Sequence, residues 1–147
     1  MRFTFFLTFW SLLLISPSFG QGEEDLIRHS IHNYFNGTSF NHISQIEAAF
    51  YPDATLYLET GEGVLKRFSV EEYVNLFRKN TPGKFNGRYN KILSIEIEGN
   101  LAQVKAEILM PARKRRYIDV FIFRKMEEGL WQIVSKAANS SAIEADK

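Results

Sequence analysis

One acid in this sequence sits where water is scarce. Asp119 interrupts Tyr117-Ile118-Asp119-Val120-Phe121-Ile122-Phe123, a run that is otherwise apolar. An ionised carboxylate in such a strand is costly unless it meets a cation or a donor, or takes up a proton. Two roles meet that condition. Asp119 is a structural carboxylate tied to a partner such as Lys136, or it is a pocket acid and the best catalytic candidate in the chain, a general base. The remaining candidates have plainer readings. Asp53, just before Ala54, suits a turn at a strand entry. His29 and His32 stand three residues apart, a spacing that could set two metal ligands on one helix face. They lie off the apolar stripe with no third ligand in reach, so a solvated face and no metal site are expected. His42, near the start of a second helix, is expected to be exposed. The charge run Arg113-Lys114-Arg115-Arg116 has no interleaved aromatics and reads as a solvated loop, not an anion or nucleic-acid contact. Phe50, Tyr57, Tyr73, Phe77, Tyr117, Phe121 and Trp131 are candidates for an aromatic-lined pocket, two or three of them reaching it and the rest packing the core. No Gly-rich phosphate loop or nucleophile motif is present, and no cofactor is expected.

These side chains must be positioned by a chain of 147 residues, the size of one domain with a real core. Its 13 Phe, 6 Tyr and 2 Trp must line either that core or a cavity. There is no cysteine, which excludes disulfides, thiolate catalysis and cysteine-held metals. Residues 1–20 have the parts of an export signal: Arg2, an apolar run from Phe3 to Ile15, Pro17, and small Ser18 and Gly20 before a cut at Gln21. The run is too short for a membrane span. The chain is therefore expected to be secreted or periplasmic, without a stable membrane anchor. Of 18 basic residues only Arg2 lies in the leader, so the remainder balances the 17 acids and offers no field for nucleic acid. Asn36-Gly37-Thr38 and Asn139-Ser140-Ser141 fit the glycosylation pattern, which matters only in a eukaryotic host.

The pattern after the leader predicts three helices and six strands, in a domain over 21–137 with a flexible tail over 138–147. Ile27, Ile31, Tyr34 and Phe35 form one stripe of a helix from Glu23 to Phe35, with Gly37 as its stop. A second helix carries Ile43, Ile46 and Phe50 and ends at Pro52. Ala54–Glu59 and Val64–Arg67 read as a strand pair. Ser69 and Glu72 form a capping box, with Phe68 and Tyr73 placed as a staple, at the head of a third helix. Gly99-Asn100 then turns a hairpin that opposes Ile97 to Ala102, Ile95 to Val104 and Leu93 to Ala106. Strands follow at Arg116–Met126 and Leu130–Ala137. The class is α+β, with helices gathered on one face of a curved, mostly antiparallel sheet.

This order resembles the nuclear transport factor 2-like superfamily, and within it the lumazine-binding group. The likeness rests on Tyr34-Phe35-Asn36-Gly37, Ala49-Phe50-Tyr51-Pro52-Asp53-Ala54, Tyr117-Ile118-Asp119 and Gly129-Leu130-Trp131-Gln132-Ile133-Val134-Ser135-Lys136. It implies a cone with a pocket between helices and sheet, and a homodimer through the sheet. It does not name a ligand, since the superfamily holds isomerases, dehydratases and scaffolds. The favoured expectation is a secreted domain that binds a small apolar or aromatic molecule. The alternatives are proton-transfer chemistry, with Asp119 as base and Tyr57, Tyr117 or His42 as partner, and a non-catalytic interaction module.

Overall fold

The computed structural model describes residues 19–59 and 63–143. Three helices, α1 (Phe19–Phe40), α2 (Ile43–Ala49) and α3 (Val70–Asn75), pack on six strands. The strands are β1 (Phe50–Glu59), β2 (Leu65–Phe68), β3 (Tyr89–Glu98), β4 (Leu101–Met110), β5 (Arg115–Lys125) and β6 (Trp131–Ala142). They form one sheet in the order β2-β1-β6-β5-β4-β3, antiparallel except where β1 runs parallel to β6. The expected α+β class and element order are what the chain adopts. Residues 1–18, most of the expected export signal, lie outside the described residues, and no described helix is long and apolar enough to cross a membrane.

Helix α1 does not stop at Gly37. It runs on to Phe40 and ends in a Schellman turn, with Asn41 left-handed at φ 59° and the His42 amide donating to the Gly37 carbonyl at 2.9 Å. Gly37 has a packing role instead. A Cβ there would stand 2.7 Å from Ile46 Cγ1 and 2.8 Å from the Ile46 amide, so its bare backbone lets α2 close on α1. The switch from α2 to β1 comes at Phe50, ahead of Pro52. That proline is tolerated because β2 begins pairing only at Leu56, leaving one edge of β1 free, and a register shift between Phe50 and Thr55 absorbs it on the β6 side. Asp53 thus lies inside β1 and exposed, not in a turn. Helix α3 starts as expected: Glu72 N–H donates to Ser69 Oγ at 3.2 Å, and Ser69 N–H to Glu72 Oε2 at 2.8 Å.

The β3–β4 hairpin keeps the expected register at Ile97–Ala102 and Ile95–Val104. A bulge then sets Ile92, not Leu93, opposite Ala106 and turns Leu93 outward. The core lies between this sheet and the helices. Phe121, Phe123, Val104 and Ala106 face Ile27, Ile31 and Tyr34 of α1, all without solvent contact. Burying one such aromatic or aliphatic side chain contributes about 1.5–3 kcal/mol. The largest departure is at the end of the chain. The segment expected to fray is strand, with β6 running on to Ala142 and pairing Ala138, Ser140 and Ala142 with Asp119, Tyr117 and Arg115. Those backbone groups gain ladder partners, which is why the extension is ordered through position 142.

Candidate functional site

The sheet and α3 enclose a cavity of about 240 Å³. Its walls come from Leu58 and Glu59 at the end of β1, Tyr73, Leu76 and Phe77 around the end of α3, Met110 at the end of β4, Tyr117 and Asp119 of β5, and Lys136, Ala138 and Ser140 of β6. Asn80, Asn86, Arg88 and Arg113 arrive from loops and turns. The β6 extension therefore supplies part of the wall.

Asp119 and Lys136 meet at the base. Lys136 Nζ is 2.8 Å from Asp119 Oδ2, and both side chains are almost wholly buried, at 3% and 2% exposure. A second β-bulge makes the meeting possible. Near the turn, Phe123 opposes Ile133 and Lys125 opposes Trp131. That register, continued, would set Lys136 on the opposite face from Asp119. The shift between Ile122 and Phe123 inserts one residue, so Asp119 opposes Ala138 and Lys136 becomes its diagonal neighbour on the inner face. The ammonium also sits in an aromatic cage, 5.4, 5.7 and 5.9 Å from the ring centres of Tyr73, Phe121 and Tyr34. Tyr34 and Tyr73 share a hydroxyl hydrogen bond of 2.7 Å. Burial, then the neighbouring Tyr73 and Asp119, holds the Tyr34 hydroxyl well above the ordinary phenol range, so it keeps its proton.

The pair does not use up the polar capacity of the site. Lys136 is the charge partner of Asp119 Oδ2, which accepts from no other group among the described residues. Arg88 Nε and Asn86 Oδ1 are likewise cut off from solvent without a protein partner among the described residues. Arg88 and Asn86 are held in place by the end of α1. The Asn41 side chain accepts from Asn80 (3.0 Å) and Asn86 (3.2 Å) and donates to the Thr81 (3.2 Å) and Lys84 (2.9 Å) carbonyls. Asn86 also donates to the Thr38 carbonyl at 2.6 Å, and Ser39 Oγ to the Arg88 carbonyl at 3.1 Å. The loop that carries these side chains is thus pinned at both ends of its path along α1. Burial would pull the Arg88 guanidinium down, but Tyr73, Tyr34, Asp119 and Tyr117 outweigh it and hold the group above its ordinary value, fully charged.

Of the residues expected from sequence, Tyr73, Phe77, Tyr117 and Asp119 line the cavity, and Phe50, Tyr57, Phe121 and Trp131 do not. Phe50 is core, edge-on to Tyr34 at 5.7 Å. Tyr57 points outward at 40% exposure, because its neighbours Leu56 and Leu58 take the inner face. Trp131 is buried beside α1 and donates Nε1–H to Glu23 at 2.8 Å; Lys125 also reaches Glu23, and the two bonds hold that carboxyl below its usual range. His29 and His32 are exposed on α1, and the half-buried His42 lies off the cavity, stacked on Phe40. Nothing in the sequence sets Arg88 or Asn86 apart as a site residue. Arg113, read as part of a solvated loop, is exposed but stands on the cavity wall.

The chain matches the family described as "Putative lumazine-binding" over residues 22–138. It belongs to that family. Solved structures place it among nuclear transport factor 2-like folds. One, of unknown function, from Silicibacter pomeroyi superposes with a TM-score of 0.73 at 18% identity, covering 83% of this chain and 98% of that one. Another of unknown function, from Methylobacillus flagellatus, gives 0.72 at 23% identity, covering 88% and 98%. A protein from Shewanella frigidimarina described as a putative ketosteroid isomerase gives 0.59 at 14% identity, covering 80% and 98%. At these identities the likeness is one of fold. A search of curated proteins finds no match.

Proposed function

We propose that this chain is a secreted small-molecule-binding domain whose cavity takes a ligand of one or two rings. One observation carries the reading: a cavity of about 240 Å³ whose wall combines aromatic rings with buried polar atoms that have no protein partner among the described residues. Drug-sized ligands occupy pockets of roughly 300–1,000 Å³, so this smaller space suits a compact ring system. The family's description supports a heteroaromatic ligand. Binding is favoured over proton transfer because Asp119 already faces an ammonium; of the partners expected for it, His42 and Tyr57 lie off the cavity and Tyr117 lines it. Removal of residues 1–20 before Gln21 completes this reading. So does a homodimer through the outer sheet face, where Ile118, Val120 and Ile122 of β5 remain part-exposed in the single chain.

The test is a thermal-shift panel of one- and two-ring aromatics, lumazine included, on the wild type and on Ala138→Leu, which fills the cavity from β6. Ligands should raise the Tm of the wild type and leave that of the variant unmoved. Equal shifts in both would place binding elsewhere and sink the proposal.

A further inference from the structure

The charges around the cavity do not cancel at its inner wall. Asp119 and Lys136 neutralise each other at 2.8 Å. Arg88 is a second inner cation, and no carboxylate of the described residues forms an ion pair with it. Its polar contact is a 3.9 Å approach of one terminal nitrogen to Met110 Sδ, a weak acceptor, and its Nε donates to nothing among the described residues although it is shut off from water. Arg88 is half-buried and stays charged, but its sealed Nε–H is a donor without an acceptor, and an unmet donor of that kind is unfavourable. The guanidinium is also held rigidly, since the hydrogen bonds of Asn41, Asn86 and Ser39 fix the backbone that presents it. Arg113 adds a third positive charge on the same wall, against which Glu59 stands exposed at the end of β1.

We infer that the ligand of this cavity is an anion, a ring carrying a carboxylate or an equivalent planar oxyanion, and that Arg88 anchors its charged end. This rests on the small-molecule reading above and narrows it. The planar fork of a guanidinium matches the two oxygens of a carboxylate, and charge-assisted pairs of that kind are about twice as strong as neutral hydrogen bonds. The ring then lies toward Tyr73, Phe77 and Tyr117, the aromatic part of the wall. Asp119 Oδ2, whose one partner among the described residues is the Lys136 ammonium, has capacity for a hydrogen-bond donor elsewhere on the ring.

The experiment compares shape-matched probes that differ in charge: benzoate with benzamide, and 2-naphthoate with 2-naphthamide. They are titrated into the protein at constant ionic strength while the arginine Nε–H resonances are followed by NMR. The acid anions should bind at least about tenfold tighter than the amides, the usual margin for a hydrogen bond to a charged group. The Arg88 Nε–H signal should shift with benzoate, Arg88→Met should remove the preference, and Arg88→Lys should keep part of it. If Arg88→Met fails to fold, the wild-type comparison and the Nε–H signal decide alone. Equal affinity for acid and amide would overturn the anion inference while leaving the small-molecule reading intact. Binding of neither pair, with Arg88 Nε–H unmoved, would overturn both.

Discussion

Replacing Lys136 by Met should destabilise the fold severely, and replacing Asp119 as well should restore it. The two side chains are 3% and 2% exposed and 2.8 Å apart. Removing the ammonium leaves a carboxylate whose Oδ2 has no other partner among the described residues. Breaking a buried pair in this way costs about 3–5 kcal/mol, a large part of the roughly 5–15 kcal/mol that holds a domain folded. Asp119→Leu alone should cost about 1–2 kcal/mol less, because the stranded ammonium keeps its contacts with three rings. In the double variant neither charge is buried. Replacement of a buried pair by apolar groups is often neutral or better, so its stability should fall within about 1 kcal/mol of wild type or above it. Urea unfolding followed by far-UV circular dichroism measures all four proteins. A Lys136→Met loss under about 1 kcal/mol, or a double variant as unstable as the two losses added, would refute the reasoning.

Four further outcomes follow from the packing. In an ordinary helix interior Gly→Ala stabilises by about 1 kcal/mol; Gly37→Ala should instead destabilise by about 1–3 kcal/mol, since its Cβ would meet Ile46 at 2.7 Å, and a stabilised variant would contradict the close approach of α1 and α2. Ser69→Ala should cost about 1 kcal/mol. Its partner Glu72 has a carboxyl held below the usual carboxylate range by the Ser69 backbone and hydroxyl, so its contribution is present at neutral pH and lost as pH falls through the lowered value. The stability gap between wild type and Glu72→Gln should therefore close in acid, and a gap independent of pH would show the box to be inert. Sedimentation at micromolar concentration should show a dimer that Val120→Arg on the outer face of β5 converts to monomer; a monomeric wild type would remove the dimer proposal.

How much of this was legible in the sequence depended on whether periodicity stayed in phase. The element order and class follow from the stripe Ile27, Ile31, Tyr34, from the Ser69/Glu72 box and from the Gly99-Asn100 hairpin, all local signals that agree with one another. Asp119 stood out because a charge in an apolar strand must be answered, and Lys136 answers it. The misses lie where one residue shifts the phase. The bulge at Leu93 turned an apolar residue outward, and the bulge opposite Phe123 decided that Lys136 faces inward; neither carries a glycine or proline to mark it. The β6 extension was missed because Asn139, Ser140 and Ser141 look like a solvated tail, and only pairing with β5 makes them strand. Arg88 escaped notice because its role depends on tertiary contacts between the end of α1 and a loop more than forty residues away. Phe50, Tyr57 and Trp131 were chosen for residue type, whereas the direction of each side chain is set by strand register.

The central claim is that the cavity between α3 and the ends of β1, β4, β5 and β6 binds a small molecule. Amide chemical-shift mapping tests it most directly, using whichever one- or two-ring compound gives the largest thermal shift. The account predicts saturable shifts centred on Arg88, Tyr117, Asp119, Lys136 and Ala138, all of which line the cavity, and their loss in Ala138→Leu. Shifts scattered over exposed surface, or centred there and unchanged in that variant, would contradict it.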